Sequence, residues 1–165
     1  MLLAQFLKHE NPLVVCPIDA DLWIVHIPFV FVCQCNKVKH RVEAPEDFVT
    51  DFASIPRILW SIVPRWGLYG WAAVIHDFLY WDQRMTRREA DDVFRHAMIT
   101  SAVPAWRRIV IYRAVRLFGS VAWRRNAALK VRNPRARFRD RPLPDPFNVK
   151  AWKDNYLKET TTNAR

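Results

Sequence analysis

Hydrophobic and polar positions follow two different periods along this chain, and together they predict a β-hairpin followed by helices. Residues 22–32 are dense in β-branched and aromatic side chains, and Val38, His40 and Val42 alternate with charged neighbours. This pattern is typical of two paired strands with a turn at Asn36. Because Pro28 cannot donate a ladder hydrogen bond, we expect its strand at a sheet edge or at a bulge.

Helical periodicity begins after an aperiodic segment. Residues 45–64 carry Pro and Asp punctuation that favours an extended stretch and then a short turn of helix over residues 57–62. Residues 69–81 permit a first helix. Thr86 and Glu89 fit a capping box, which predicts a second helix running to about residue 100. We therefore expect these two helices to pack in antiparallel orientation across a short connection.

A third, basic helix is predicted over residues 105–125, opened by Pro104. Its apolar stripe lies beside a strongly basic face and comprises Trp106, Val110, Ala114, Leu117 and Val121. The sequence thus predicts a mainly α fold with a small N-terminal β-hairpin, an α+β arrangement in which the antiparallel helix pair carries the site. Residues 1–126 are expected to form a single globular domain, and residues 127–165 a basic, Pro-rich extended tail.

Charge is unevenly distributed. The formal net charge is +10, and residues 106–142 hold most of the Arg and Lys excess with Asp140 as their one acid. Such a segment favours an anionic partner, either a phospholipid surface or nucleic acid reached through the basic tail. The residues we expect to bind that anionic surface are Arg124, Arg125, Arg132, Arg135, Arg137 and Arg139.

Cysteine usage and the chain start bear on the compartment. The three cysteines lack the paired spacing of a zinc site, so we interpret them as reduced thiols. We do not expect the first ten residues to act as a signal peptide, because their apolar run is short and ends in Lys8, His9 and Glu10. No stretch approaches the ~20 apolar residues of a transmembrane segment. We expect the protein to begin its life in the cytoplasm.

Three polar residues within apolar periodicity form the candidate site. His76 and Asp77 interrupt the apolar first helix, and Asp91 falls on the core stripe of the second helix with Ala90, Phe94, Ala97 and Met98. Burying such groups costs several kcal/mol unless they have partners. We therefore predict that Asp91 hydrogen-bonds one imidazole nitrogen of His76 and leaves the other free as a general base. Asp77 points to another neighbour, which could be a metal ion.

The candidate residues His76 and Asp91, and two polar residues further upstream, are also open to a purely structural interpretation. A buried His–Asp pair can simply lock two helices together, and Asp51 and Ser54 can serve as turn or N-cap residues before Pro56.

Three motifs resemble a phage and prophage family classed as a domain of unknown function. They are TDFASIP at residues 50–56, HDFLY at residues 76–80, and the stretch from Arg87 through Ala90-Asp91 to Phe94 and Met98. The resemblance spans about residues 43–121 and implies a phage origin, with action in the host cytoplasm during infection or incorporation in the virion.

A second resemblance links the helix pair to the catalytic helices of secreted phospholipase A-two enzymes, in which His-Asp-x-x-Tyr faces Asp-x-x-Phe. It implies His76 as the base, Asp77 as a calcium ligand, Tyr80 as a supporting hydrogen bonder and Asp91 as the orienting acid. The upstream loop with Thr50, Asp51 and Ser54 takes the place of the calcium loop. The glycine-rich calcium loop and the flanking disulfide cysteines of those enzymes are absent here.

The sequence therefore favours a metal-dependent hydrolase with phospholipase-like ester hydrolysis. Asp77 would bind a divalent cation, for which calcium is the first candidate. Asp51 would complete the oxygen shell of that cation. The alternative is a non-enzymatic virion or assembly component that docks on phage structural proteins through its basic tail. A zinc-dependent cell-wall hydrolase fits less well, because one His with carboxylates is a poor zinc set.

Overall fold

The computed structural model describes residues 8–19, 21–35, 37–52 and 69–139. Within these ranges the chain forms strands first and helices afterwards. The strands are β1 (Lys8–His9), β2 (Val15–Pro17), β3 (Trp23–Val25), β4 (Phe29–Cys35), β5 (Val38–Ala44) and β6 (Val49–Thr50). The helices are α1 (Gly70–Asp82), α2 (Arg87–Thr100) and α3 (Ala105–Arg132).

The predicted hairpin is present in part, as β4 and β5. The first predicted strand, residues 22–32, is interrupted at residues 26–28, and its residues 23–25 form β3, which pairs with β2 and β6. Strands β4 and β5 pair in antiparallel register from Phe29 opposite Ala44 to Cys35 opposite Val38, and β1 pairs with the other edge of β4. Every second residue of β4 is buried, which directs Phe29, Phe31, Cys33 and Cys35 toward the helices. Pro28 precedes β4, so its missing amide hydrogen removes no ladder bond within that strand.

The expectation of a mainly α fold with one small hairpin is wrong. The described residues contain a second antiparallel sheet in the order β2-β3-β6, beside the sheet β1-β4-β5. The N-terminal part is thus a two-sheet β region that packs against the three helices. Four of these strands have only two or three residues, and such short runs carry too little alternation to stand out in a sequence.

Helices α1 and α2 begin and end close to the predicted residues. Most of α1 is buried, because it packs on both other helices and on the sheets. On α2 the predicted core stripe is confirmed, with Ala90, Asp91, Phe94, Ala97 and Met98 all inaccessible to solvent. Thr86 accepts from the Glu89 amide while the Glu89 carboxylate accepts from the Thr86 amide, so the predicted capping box is confirmed.

Helix α3 differs from its prediction in length and in its buried face. It continues to Arg132, seven residues beyond the predicted end, and buries Ile111, Ala114, Val115 and Asn126. Of the predicted apolar stripe, Trp106, Leu117 and Val121 remain 53%, 72% and 73% exposed. The face that packs on α1 and α2 is therefore rotated away from the stripe that the sequence emphasises.

The segment after α3 returns to the β region. Residues 127–132, assigned to the tail from the sequence, are the last turns of α3. Phe138 then pairs with Phe48 in an isolated antiparallel bridge, and the amide of Val49 donates to the carbonyl of Arg137 at 2.8 Å. The division into a domain and a tail stays a prediction for residues 140–165, which lie outside the described residues. None of the described helices is long and apolar enough to cross a bilayer.

Removal of the N-cap should weaken α2. We expect Thr86→Ala to lower the free energy of unfolding by about 1 kcal/mol, because a first-turn amide loses its acceptor. Thr100→Ala is the matched control, since its hydroxyl donates to the His96 carbonyl within the same helix and caps no helix N-terminus. Urea denaturation of both variants measures the difference. Equal stabilities would show that the capping box contributes nothing.

Candidate active site

The centre of the site is a direct contact between α1 and α2. The Nε2 atom of His76 lies 3.0 Å from Oδ1 of Asp91, and both side chains are almost completely buried. The predicted hydrogen bond across the helix pair is therefore confirmed. The ring of His76 is stacked on Phe94, with 4.4 Å between ring centroids, so apolar packing also holds its orientation.

Asp91 is held by three further donors. The hydroxyl of Tyr80 donates to Oδ1 at 2.7 Å, and the guanidinium groups of Arg116 and Arg87 donate to Oδ2 at 2.7 and 3.3 Å. Charge-assisted bonds of this kind compensate the burial of an ionised carboxylate. The support from Tyr80 was expected. Arg116 was missed, because it lies 25 residues away on α3, whereas Arg87 stands in the i,i+4 relation to Asp91 that a sequence can reveal.

These contacts fix the protonation states. Burial lowers the pKa of His76, although the hydrogen bond that its Nε2 donates to Asp91 acts in the opposite direction. Burial alone would raise the pKa of Asp91, but its bonds with His76, Tyr80 and Arg116 outweigh that effect and lower it. At neutral pH the pair is thus a neutral imidazole beside a carboxylate, and Nε2 carries the proton that it donates to Asp91.

The second nitrogen of His76 is the unusual feature. Nδ1 is buried, and among the described residues it has no hydrogen-bond partner. In the neutral tautomer with the proton on Nε2, Nδ1 presents an unshared electron pair. His76 also lines a cavity of about 470 Å³ between α1, α3 and the segment after β6. The geometry therefore provides an oriented base next to a space large enough for a small substrate.

The cavity has one polar and one apolar side. Asp51, His76, Asp77 and Tyr80 provide acidic and hydrogen-bonding groups, and Arg125 and Arg137 contribute cations. Most of the α3 wall is apolar and includes Val115, Phe118, Gly119, Val121 and Ala122, while Arg125 and Asn126 lie toward its C-terminal end.

Thr50 connects this cavity to the β region. Its hydroxyl donates to Oδ2 of Asp77 at 2.5 Å and accepts from the amide of Phe52 at 3.2 Å. Phe52 adopts φ of 51°, a left-handed conformation that is uncommon for a residue other than glycine. The TDF part of the first motif is thus folded tightly against Asp77, while Ser54 lies outside the described residues.

The expected metal ligands Asp51 and Asp77 line the same cavity, but their surroundings are only partly suited to a cation. Arg137 lies 3.6 Å from the carboxylate of Asp51 and supplies positive charge there. Within the described ranges, no group of three or more His, Cys, Asp or Glu side chains is arranged to hold a metal ion. The metal role of Asp51 and Asp77 stays a prediction.

The arginines expected to bind an anionic surface divide into two sets. Arg124, Arg125 and Arg132 are exposed on α3. The others make contacts within the protein: Arg135 stacks over Phe138, Arg137 pairs with Asp51, and Arg139 pairs with Asp47 at 2.8 Å.

The fold and the site together define an α+β domain in which a helix pair buries a His–Asp dyad beside a cavity. Residues 23–115, more than half of the chain, match the family described as "Protein of unknown function (DUF1353)", and the chain belongs to that family. It is also 37% identical over 71 residues to the "Uncharacterized protein y4jT" of Sinorhizobium fredii strain NBRC 101917 / NGR234. That match covers 42% of this chain and 21% of the relative. No solved structure shows a significant match.

Close packing between Gly119 and Tyr80 should be essential to the dyad. A Cβ atom at Gly119 would lie 2.3 Å from the Tyr80 hydroxyl, whereas one at Gly70 would meet nothing within 4 Å. We expect Gly119→Ala to lower the free energy of unfolding by about 1–3 kcal/mol, because Tyr80 must move away from Asp91. Gly70→Ala should be neutral or slightly stabilising. Thermal denaturation compares the two, and a Gly119→Ala protein as stable as wild type would contradict the contact.

The lowered pKa of His76 should make acid destabilise the fold. Because the unfolded imidazole takes up a proton near its usual value of about 6.5, the contribution of His76 to stability is full above that pH and is lost as pH falls toward its folded pKa. We expect NMR of the imidazole nitrogens to show His76 neutral, with the proton on Nε2, at pH 6.5. A His76 that is half protonated at or above that pH would refute the assignment.

Proposed function

We propose that this chain is a hydrolase in which His76 is the general base. The observation that carries the proposal is the asymmetry of its two ring nitrogens. Nε2 is fixed by the Asp91 carboxylate, while the buried Nδ1 has no partner among the described residues and the ring borders a cavity. A His–Asp pair that served only to join two helices would be expected to satisfy both nitrogens.

The chemistry follows from this arrangement. A water in the cavity gives its proton to Nδ1 of His76 as its oxygen attacks the carbonyl carbon of an ester, and the proton is then passed to the leaving alkoxide. Asp91 stays ionised, fixes the tautomer and stabilises the imidazolium that forms. Arg125 and Arg137, which line the same cavity, would stabilise negative charge on the former carbonyl oxygen.

The ester class is supported by the sequence resemblance to secreted phospholipases. That resemblance assigned His76, Tyr80 and Asp91 to one hydrogen-bonded group, and the three side chains are in such contact. Tyr80, Arg87 and Arg116 act as positioning residues, because they contact Asp91 and hold it in place.

The divalent cation is a separate part of the proposal. Asp77, with Thr50 as its hydrogen-bond donor, would be the main ligand and Asp51 the second. The ion pair of Asp51 with Arg137 opposes that role. When bound, a cation such as calcium would polarise the ester carbonyl.

The phage origin is likewise our proposal, and it rests on the three motifs rather than on the relative. It implies that the protein acts in the host cytoplasm during infection or is carried in the virion. The non-enzymatic alternative, a virion component docking through its basic segment, explains the charge but not the buried Nδ1 that has no partner within the described part of the chain.

Substitution of the base should abolish hydrolysis. With p-nitrophenyl esters and phospholipid vesicles as substrates, we expect His76→Gln to lower kcat about 10²–10⁴-fold. The control variant is His26→Gln, because His26 is exposed and lies in the loop between β3 and β4. It should retain wild-type activity. Circular dichroism confirms that each variant is folded. In the wild type, activity should persist below pH 6.5, because burial keeps His76 neutral there.

Two outcomes would refute this function. One is a wild-type protein that hydrolyses no ester with or without calcium, magnesium, manganese or zinc. The other is a folded His76→Gln protein with full activity. Asp77→Asn tests the cation separately, because only a metal mechanism requires a higher cation concentration for half-maximal activity in that variant.

A further inference from the structure

One face of α3 carries large apolar side chains in solvent beside the cavity. Leu117, Phe118 and Val121 are 72%, 62% and 73% exposed, and Arg124 and Arg125 follow one turn later. Spacings of three and four residues place these five side chains on neighbouring rows of one helix surface. We call them the α3 patch. Isolated exposed apolar residues are ordinary, but a cluster of this kind marks an interaction site.

The charged side chains of α3 itself all have the same sign. Over its 28 residues α3 contains eight Arg and Lys and no Asp or Glu. The whole chain carries a formal charge of +10. A partner that fits this helix is therefore anionic, and it must also accept apolar side chains.

A phospholipid bilayer meets both requirements. Nucleic acid would satisfy the arginines, but phosphate contacts leave Leu117, Phe118 and Val121 in water. We propose that the α3 patch binds the surface of an anionic phospholipid bilayer. The three apolar side chains enter the boundary between headgroups and acyl chains, and Arg124 and Arg125 contact the phosphates.

The patch is continuous with the cavity, because Phe118, Val121 and Arg125 also line it. Binding would thus bring the cavity against the lipid surface. The corollary that His76 acts on lipid esters rests on the proposed function, whereas bilayer binding itself does not.

Vesicle binding tests the proposal without any activity readout. The full-length protein is sedimented with vesicles of phosphatidylcholine alone or mixed equally with phosphatidylglycerol, over a range of salt concentrations. The apolar test variant is Leu117→Gln/Val121→Gln. Its matched control is Ile27→Gln/Val38→Gln, which replaces exposed apolar residues of the β region that are 46% and 55% exposed.

The charge test variant is Arg124→Gln/Arg125→Gln, with the exposed Arg88→Gln of α2 as control. We expect the wild-type protein to bind the mixed vesicles only. The affinity of the apolar variant should be at least tenfold lower, and that of the charge variant about 25-fold lower at low salt. Both controls should bind like wild type.

Three results would overturn the proposal. The first is no binding to anionic vesicles, or equal binding to both vesicle types. The second is equal effects of a test variant and its control. The third is binding to duplex DNA that is tighter than binding to the mixed vesicles and that the apolar variant leaves unchanged. This result would identify the partner of α3 as nucleic acid.

Discussion

The buried carboxylate of Asp91 is the constraint on which the helical half of this protein depends. An ionised carboxylate without partners is strongly destabilising in a protein interior. Here it receives donors from α1 through His76 and Tyr80, from α2 through Arg87, and from α3 through Arg116. Arg87 also donates to the carbonyls of Val115 and Arg116, which ties α2 to α3 a second time. The three helices therefore share one electrostatic centre, and removal of one donor should lower the free energy of unfolding by about 1–3 kcal/mol, because the remaining donors still compensate the charge.

The same centre determines what the site can do. The hydrogen bonds from His76, Tyr80 and Arg116 lower the pKa of Asp91 and keep it ionised, so it can orient the imidazole without taking its proton. Burial in turn keeps His76 neutral, which is the form that accepts a proton. If the proposed function holds, stability and reactivity have one origin, and substitutions at Tyr80, Arg87 or Arg116 will change both. Only a comparison of folding and kinetics on the same variant separates the two effects.

Local features of the sequence were sufficient for the helix pair. The capping box at Thr86, the core stripe with Asp91 and the unusual His76 in an apolar helix all act within a few residues, and each was found. The second sheet was missed because each of its strands has only two or three residues, which show no usable period. The buried face of α3 was misassigned for a related reason. Its basic residues include Arg116, which packs inward on Asp91, while apolar Leu117 remains in solvent. Hydrophobicity alone cannot reveal that a charged residue faces the core because another charge is there.

The contact between residues 47–49 and residues 137–139 has a consequence for the order of folding. The amide of Val49 is paired with a carbonyl of Arg137, the amide of Arg139 donates to the carbonyl of Asp47, and the Arg137 side chain reaches the Val49 carbonyl across 88 positions of sequence. During synthesis, β6 therefore emerges long before the segment that completes its edge. Chains usually fold progressively as they leave the ribosome, but the β6 edge of this sheet stays unpaired until α3 has been synthesised. In the interval the open strand edge is available to other chains, so the nascent protein has a period in which strand pairing between molecules competes with its own folding.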